Sequence, residues 1–396
     1  MKKSLLALAA MSAFAGAAQA QSSVSVYGLY DGGYNNSVRT TTIGAAAPTQ
    51  ISNSNMEGNQ QTSSRLGFRG SEDLGGGLSA NFNLELGFNP GTGSVDTVTL
   101  NSNAHQGQSD SVRTSVVGLS SKGLGEIRIG RQLSGAFVVG AGDIFAGSNM
   151  VGDIIASSHA GAGQTGGNVT NTRVYANATR MNAVSYFTPN FSGFTARLDY
   201  SNNLSSGQNL TAAGATDTQA TSGIANKNLL SGQVANQGLS AKYVYGPITV
   251  AAVTHKVSTN TNVSTATGAV TETRINIASV MFKQGPITAQ YTHGQNKVEN
   301  KQTALQASKM SANRFAVQFE ATPAIVPFAM YGTGTSEMTV AAPAKADNTG
   351  YMFGTNYHMS KRTRLYGVYG FQKSDIKSVT TSAETKEFGL GVVHTF

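Results

Sequence analysis

Two kinds of side chain in this sequence could do chemistry: its histidines and its arginines. The histidines are His105, His159, His255, His293, His358 and His394, and no two of them stand at the H-x-x-x-H spacing of a helical zinc site. There is no G-x-S-x-G elbow, so no serine is presented as a nucleophile on a strand-to-helix turn. The absence of cysteine excludes a thiol nucleophile, a thiolate metal site and a disulfide framework. The glycine-rich stretches 75–77 and 161–167 lack the strand-loop-helix context of a phosphate cradle. The expectation is therefore no enzyme: no catalytic residue, no metal and no cofactor. The arginines are different. Arginine stays protonated and grips carboxylate or phosphate with a planar fork. Arg65, Arg69, Arg128, Arg131 and Arg197 all lie in segments that read as strands. Fixed cations act together only if a frame turns them to one side, so the frame comes next.

The composition narrows that frame. The chain has 396 residues, 39% apolar and only 12% charged, with 46 Gly. Typical soluble domains carry about 45–50% apolar and ~25% charged residues. No apolar run of about 18 residues exists beyond the N-terminus, which excludes a bundle of membrane helices. Residues 1–20 combine Lys2 and Lys3, an apolar run from Leu5 to Ala17 and the small-x-small site Ala18-Gln19-Ala20. That is the pattern of a cleaved signal peptide, leaving 21–396 as the mature chain. Cleavage removes two Lys and no acid, so the net charge falls from +8 to +6. So mild a charge does not point to nucleic acid. An exported chain without cysteine fits a bacterial envelope.

The mature chain alternates in polarity. In Ser79–Leu86, Ala80, Phe82, Leu84 and Leu86 share a face opposite Ser79, Asn81, Asn83 and Glu85. Period two predicts strands with one apolar and one polar face. Sixteen such strands are expected near 22–38, 62–72, 77–88, 110–121, 124–133, 179–189, 192–202, 235–246, 248–258, 272–284, 286–297, 309–321, 324–337, 348–360, 363–374 and 386–396. The gaps alternate between short turns such as Gly246-Pro247 and long segments such as 39–61 and 134–178. A soluble sandwich has no reason to keep that alternation, whereas an outer-membrane barrel does. The fold class expected is all-β: a 16-stranded antiparallel transmembrane β-barrel with short periplasmic turns and long outer loops. Sixteen strands leave an aqueous channel.

In such a barrel the polar parity faces the lumen. Arg65, Arg69, Arg128, Arg197, Lys242, Lys283, Arg314 and Arg364 fall on it, against Glu85, Glu126, Asp199 and Glu320. That bias of eight to four predicts a weak preference for anions, because a charged ring concentrates counter-ions. Arg131 falls on the outward parity, but it stands where the chain leaves the wall for segment 134–178. Tyr27, Tyr30, Tyr186, Tyr200, Tyr243, Tyr245, Phe371 and Phe396 are expected at the membrane interfaces. Phe396 ends an alternating strand and is assigned to barrel closure and assembly, since closure removes both sheet edges.

Several segments carry a family likeness. They include Ser23–Asp31, Ser64–Leu78 (SRLGFRGSEDLGGGL), Val117–Ser120 followed by Ile129–Gln132, the Tyr186–Phe194 hairpin, the Gly246-Pro247 and Gly285-Pro286 turns, Ser360–Thr363 and the VHTF ending. With these the chain resembles the Gram-negative general porins of beta-proteobacteria, of the neisserial and Bordetella/Burkholderia-like type. The resemblance implies an outer-membrane homotrimer whose barrels pass ions and small hydrophilic solutes by passive diffusion among lipid and lipopolysaccharide. It also implies that the third loop, 134–178, folds into the lumen as the constriction. Asp143 and Asp153 in that loop are expected to supply one side of a transverse field facing Arg65, Arg69, Arg128, Arg131 and Arg197. The alternative is a substrate-specific channel, which would need an aromatic ladder that 134–178 lacks.

Overall fold

Alternation gives each strand two unlike faces, and the sheet turns the apolar one outward throughout. Val117, Ile129, Leu198, Val250, Val280, Phe315, Phe353 and Leu390 are all exposed. A sheet with one continuous apolar face turned outward is solvated by lipid, and closure is what satisfies its edges. The computed structural model describes residues 23–95, 112–141, 150–155, 174–175, 179–201, 234–260, 270–301, 306–338, 344–377 and 381–396. The expected signal peptide and Asp143 lie outside the described residues.

Among the described residues, eighteen strand segments build sixteen staves. They are β1 (Ser23–Ile43), β2 in two pieces (Thr49–Gly58 and Arg65–Gly75), β3 (Leu78–Asn89), β4 in two pieces (Ser94–Val95 and Val112–Ser121) and β5 (Gly125–Leu133). The helix α1 (Gly135–Ala141) follows, then β6 (Arg180–Phe187), β7 (Phe194–Ser201), β8 (Val234–Tyr245), β9 (Ile248–Asn260) and β10 (Val270–Gln284). The last six are β11 (Ile287–Asn300), β12 (Gln306–Phe319), β13 (Ile325–Met338), β14 (Ala344–His358), β15 (Thr363–Ile376) and β16 (Thr381–Thr395). Each pairs antiparallel with its neighbours, and β16 pairs with β1 from Leu29↔Thr395 to Ile43↔Thr381. The 16-stranded closed barrel expected from the alternation is thus the fold. Turns at one end are tight. Tyr245 pairs with Ile248 across Gly246-Pro247, and Gly246 takes φ +55, as the first central position of a primed hairpin turn requires.

The first expected gap is corrected. Segment 39–61 is mostly strand, since Thr41 pairs with Thr49 and the hairpin continues to Gly32↔Gly58. Its residues, such as Thr40–Thr42 and Ser52–Asn55, are polar on both faces. No clear alternation marks it, and backbone pairing carries the strands. The outward aromatics also differ. Tyr291, Phe315, Tyr331, Tyr351 and Phe371 face one another in register across five strands and form a row on the outer wall. Tyr27, expected there, points inward and donates to Asn83 Oδ1 at 2.9 Å.

Inside, the chain leaving β5 stays on the wall. Ser134 Oγ caps α1 by accepting from the Phe137 N–H at 3.0 Å. Ala136 and Val139 pack on Val253, Val257, Ile275 and Ile277 of β9 and β10. Residues 150–155 then run across β12 to β16. Met150 packs with Met330, Met352 and Val368, and Ile154 with Met310 and Ala312. Glycines on the lumen face make the seat. Ile154 lies over Gly332 and Gly350, the Val151 carbonyl over Gly370, and Met150 beside Gly389. The lumen parity is therefore largely apolar where α1 and this segment lie, with Arg314 and Glu387 as polar anchors beneath them.

Candidate functional site

Free space lies along β2 to β11 among the described residues. A cavity of about 620 Å³ is lined there by Arg65, Arg128, Arg197 and Lys242, with Glu85, Gln132, Thr195, Ser240 and Gln290 among its polar residues and Val138 of α1 on its inner side. Three of the five expected arginines thus line one cavity. Arg65 Nη2 donates to Thr62 Oγ1 at 3.1 Å, and its Nη1 lies 3.9 Å from Glu85. Arg128 grips Glu126 with both Nε and Nη2, at 3.1 and 2.9 Å. Arg197 Nε donates to Asp199 at 2.7 Å, and its Nη2 to the Leu133 carbonyl at 2.6 Å, where the chain leaves the wall. Asp199 itself is buried and also accepts from Ser185 Oγ at 2.6 Å and the Gly135 N–H at 3.3 Å.

Phe187 orders this group. Its ring lies 4.6 Å from the Arg128 guanidinium and 4.8 Å from that of Arg197. An aromatic face attracts a guanidinium electrostatically, so one ring holds two cations in place. Its inward position follows from strand parity, since Phe187 pairs with Glu126 and Arg197.

The other expected residues are placed differently. Arg69 is exposed on the inward parity nearer the short-turn end, its guanidinium 5.1 Å from the Tyr27 ring. Arg131 keeps the outward parity of Ile127 and Ile129, and its Nε donates to the Val112 carbonyl at 2.7 Å. Neither lines the cavity. Asp153 corrects the expectation of an acid facing the arginines across a wet gap. It is 1% exposed and pairs with Arg314 at 2.7 Å, so the apolar seat of 150–155 carries it into the wall. Arg314, expected as a lumen cation, is neutralised in the same pair. Phe396 sits at the closing seam, where it and Gly28 exchange backbone hydrogen bonds of 3.0 and 3.1 Å.

Arg113 was not foreseen. Its parity with Val117 and Leu119 reads as outward, but the β3–β4 register shifts between Glu85↔Thr114 and Leu86↔Val112. Arg113 is the extra residue of that bulge, and it turns in to donate to Glu85 Oε1 at 2.7 Å. Period-two reading carries no signal for a bulge.

The Gram-negative porin family profile matches residues 7–377. The chain belongs to the Gram-negative porins. An outer membrane porin of Bordetella pertussis is 37% identical over 207 residues, 51% of this chain and 48% of that one. The match thus spans about half the length of that relative. Among solved structures, the anion-selective porin from Comamonas acidovorans superposes with TM-score 0.65 at 23% identity, covering 95% of this porin and 100% of that chain. OmpT of Vibrio cholerae in its trimer form gives TM-score 0.59 at 15% identity, covering 95% and 99%. Family membership places this porin in the outer membrane, with the short turns at the periplasmic end.

Proposed function

We propose that the barrel is a diffusion channel for ions and small hydrophilic solutes, with a weak preference for anions. The observation that carries this is the convergence of Arg65, Arg128, Arg197 and Lys242 on one passage whose acids are drawn into ion pairs. The cations stay part-exposed, so they act on passing ions through water without binding them tightly. Likeness to a porin described as anion-selective supports the sign. Membership in a channel family speaks for passage rather than catalysis.

The working form is proposed to be a homotrimer, supported by the likeness to a porin described in a trimer form. Its outward apolar belt would meet lipid, and rim cations such as Lys345 and Lys377 would meet lipopolysaccharide. The mature chain is proposed to start at Gln21, which N-terminal sequencing of the outer-membrane form would check. Planar-bilayer recording across a salt gradient tests the channel itself. Discrete conductance steps with a reversal potential on the anion side are expected. Silence would refute the channel, and block by a single solute would replace general diffusion by a substrate-specific pore.

A further inference from the structure

The chain folds into the lumen at a second place. Gly58 pairs with Gly32 and Arg65 with Leu29, so the six residues 59–64 stand opposite only Tyr30 and Asp31 of β1. They leave the wall inward. Gln61 Nε2 donates to Asn356 Oδ1 of β14 at 3.0 Å, and its Oε1 accepts from Arg364 Nε of β15 at 3.2 Å. Gln60 lies over the lumen face of Gly389 in β16, beside Met150 of the third loop. Asn59, Gln60, Gln61 and Ser64 are all buried.

One carboxylate fastens the excursion. Asp31 Oδ2 accepts the backbone N–H groups of Gln61 and Thr62, both at 2.8 Å, and its Oδ1 accepts the Tyr366 hydroxyl at 2.8 Å. Asn59 starts the excursion at φ +66, a conformation asparagine tolerates, and its Oδ1 accepts the Ser64 N–H at 2.6 Å. On the open side, Thr62 accepts from Arg65.

We infer that residues 59–64 form a second constriction of the pore, that Asp31 fastens it, and that Thr62 positions Arg65 within it. The inference rests on the channel function proposed above. The excursion and segment 150–155 meet at Gly389 and together cover the lumen face of β14 to β16. Ions are left the opposite side, where the arginines stand. Neutralising Asp31 removes the charged acceptor of two backbone N–H groups, and the excursion is left to the Gln61 bonds with Asn356 and Arg364. The passage then widens, and Arg65 loses Thr62, one of its two partners beside Glu85.

Single-channel recording tests this on the unmodified porin, Asp31→Asn and Thr62→Val. Asp31→Asn is expected to enlarge the conductance step and move the reversal potential toward cations. Thr62→Val is expected to move the reversal potential the same way by a smaller amount. The chain has no cysteine, so Thr62→Cys gives a unique thiol, and a charged methanethiosulfonate reagent should lower its current in steps. Should Asp31→Asn fail to assemble, the two Thr62 variants decide. An unmodified porin that forms no channel would overturn the proposed function. A working channel with unchanged recordings in the variants, and a Thr62→Cys current indifferent to the reagent, would overturn the second constriction alone.

Discussion

Asp153 Oδ2 lies 2.7 Å from Arg314 Nη1, with both side chains nearly fully buried inside the barrel. Arg314 also donates to the carbonyls of Gly140, at 3.0 Å, and Ala141, at 3.4 Å. One side chain therefore holds both the helix that starts the third loop and the segment that follows it. Removing one partner of a buried pair strands the other charge, at about 3–5 kcal/mol. Asp153→Asn and Arg314→Met should each lower the temperature at which the folded barrel denatures in detergent. The double variant should recover much of that loss. Equal melting of all three against the unmodified porin would show that the pair does not hold the loop.

The glycine seat gives a second prediction. A methyl group on Gly370 would meet the Val151 carbonyl, and one on Gly350 would meet the Gly152 carbonyl, both backbone atoms. Overpacking of this kind costs roughly 1–3 kcal/mol. Gly370→Ala should therefore lift segment 150–155 off the wall and narrow the passage. A smaller conductance step with the barrel intact is expected; an unchanged step would mean that the segment sits elsewhere in solution.

What the sequence disclosed follows from where each residue meets two different solvents. Strands such as β10 and β12 face lipid on one side, and their alternation made the barrel, the strand number and the inward side of Arg128 and Arg197 legible. The hairpin Thr40 to Ser52 has threonines and polar residues on both faces and leaves no clear period to read. Arg113 is turned by a bulge, which period two cannot register. Asp153 reads as a lumen charge because it is an acid in the loop expected to fold into the lumen. Its partner Arg314 is 161 residues away in the chain, a distance no local pattern spans. The inward excursion at 59–64 was hidden for the same reason, since Asn356, Arg364 and Tyr366 are its anchors.

Closure gives a third prediction. The Phe396 ring covers Gly28, and a Cβ there would collide with it. Two backbone bonds join the same pair. Deleting Phe396 removes both bonds and the ring, so folded barrel should form in lower yield in the outer membrane. Gly28→Val should impair assembly through the same contact while leaving Phe396 in place. Normal yield of both would remove Phe396 from the closing seam.

The last prediction concerns the sign and size of the ion preference. Arg65, Arg128 and Arg197 line one passage, with Glu126 and Asp199 paired to two of them and Glu85 shared with Arg113. Each pair is a dipole at short range, while Lys242 adds a further charge to the lining. Their summed field in water decays over about 8–10 Å at 0.1–0.15 M salt and ~3 Å at 1 M. The anion preference should therefore be largest in dilute salt and fade toward 1 M. Arg128→Gln with Arg197→Gln should move the reversal potential toward cations, because Glu126 and Asp199 are then left uncompensated. Arg314→Met combined with Asp153→Asn should not shift it in the same way, since that pair is sealed in the wall and the double replacement leaves no charge uncompensated. A reversal potential that ignores the Arg128 and Arg197 replacements, yet follows salt as described, would move the selectivity elsewhere in the lumen. A cation preference in the unmodified porin would reject the basic passage as the filter.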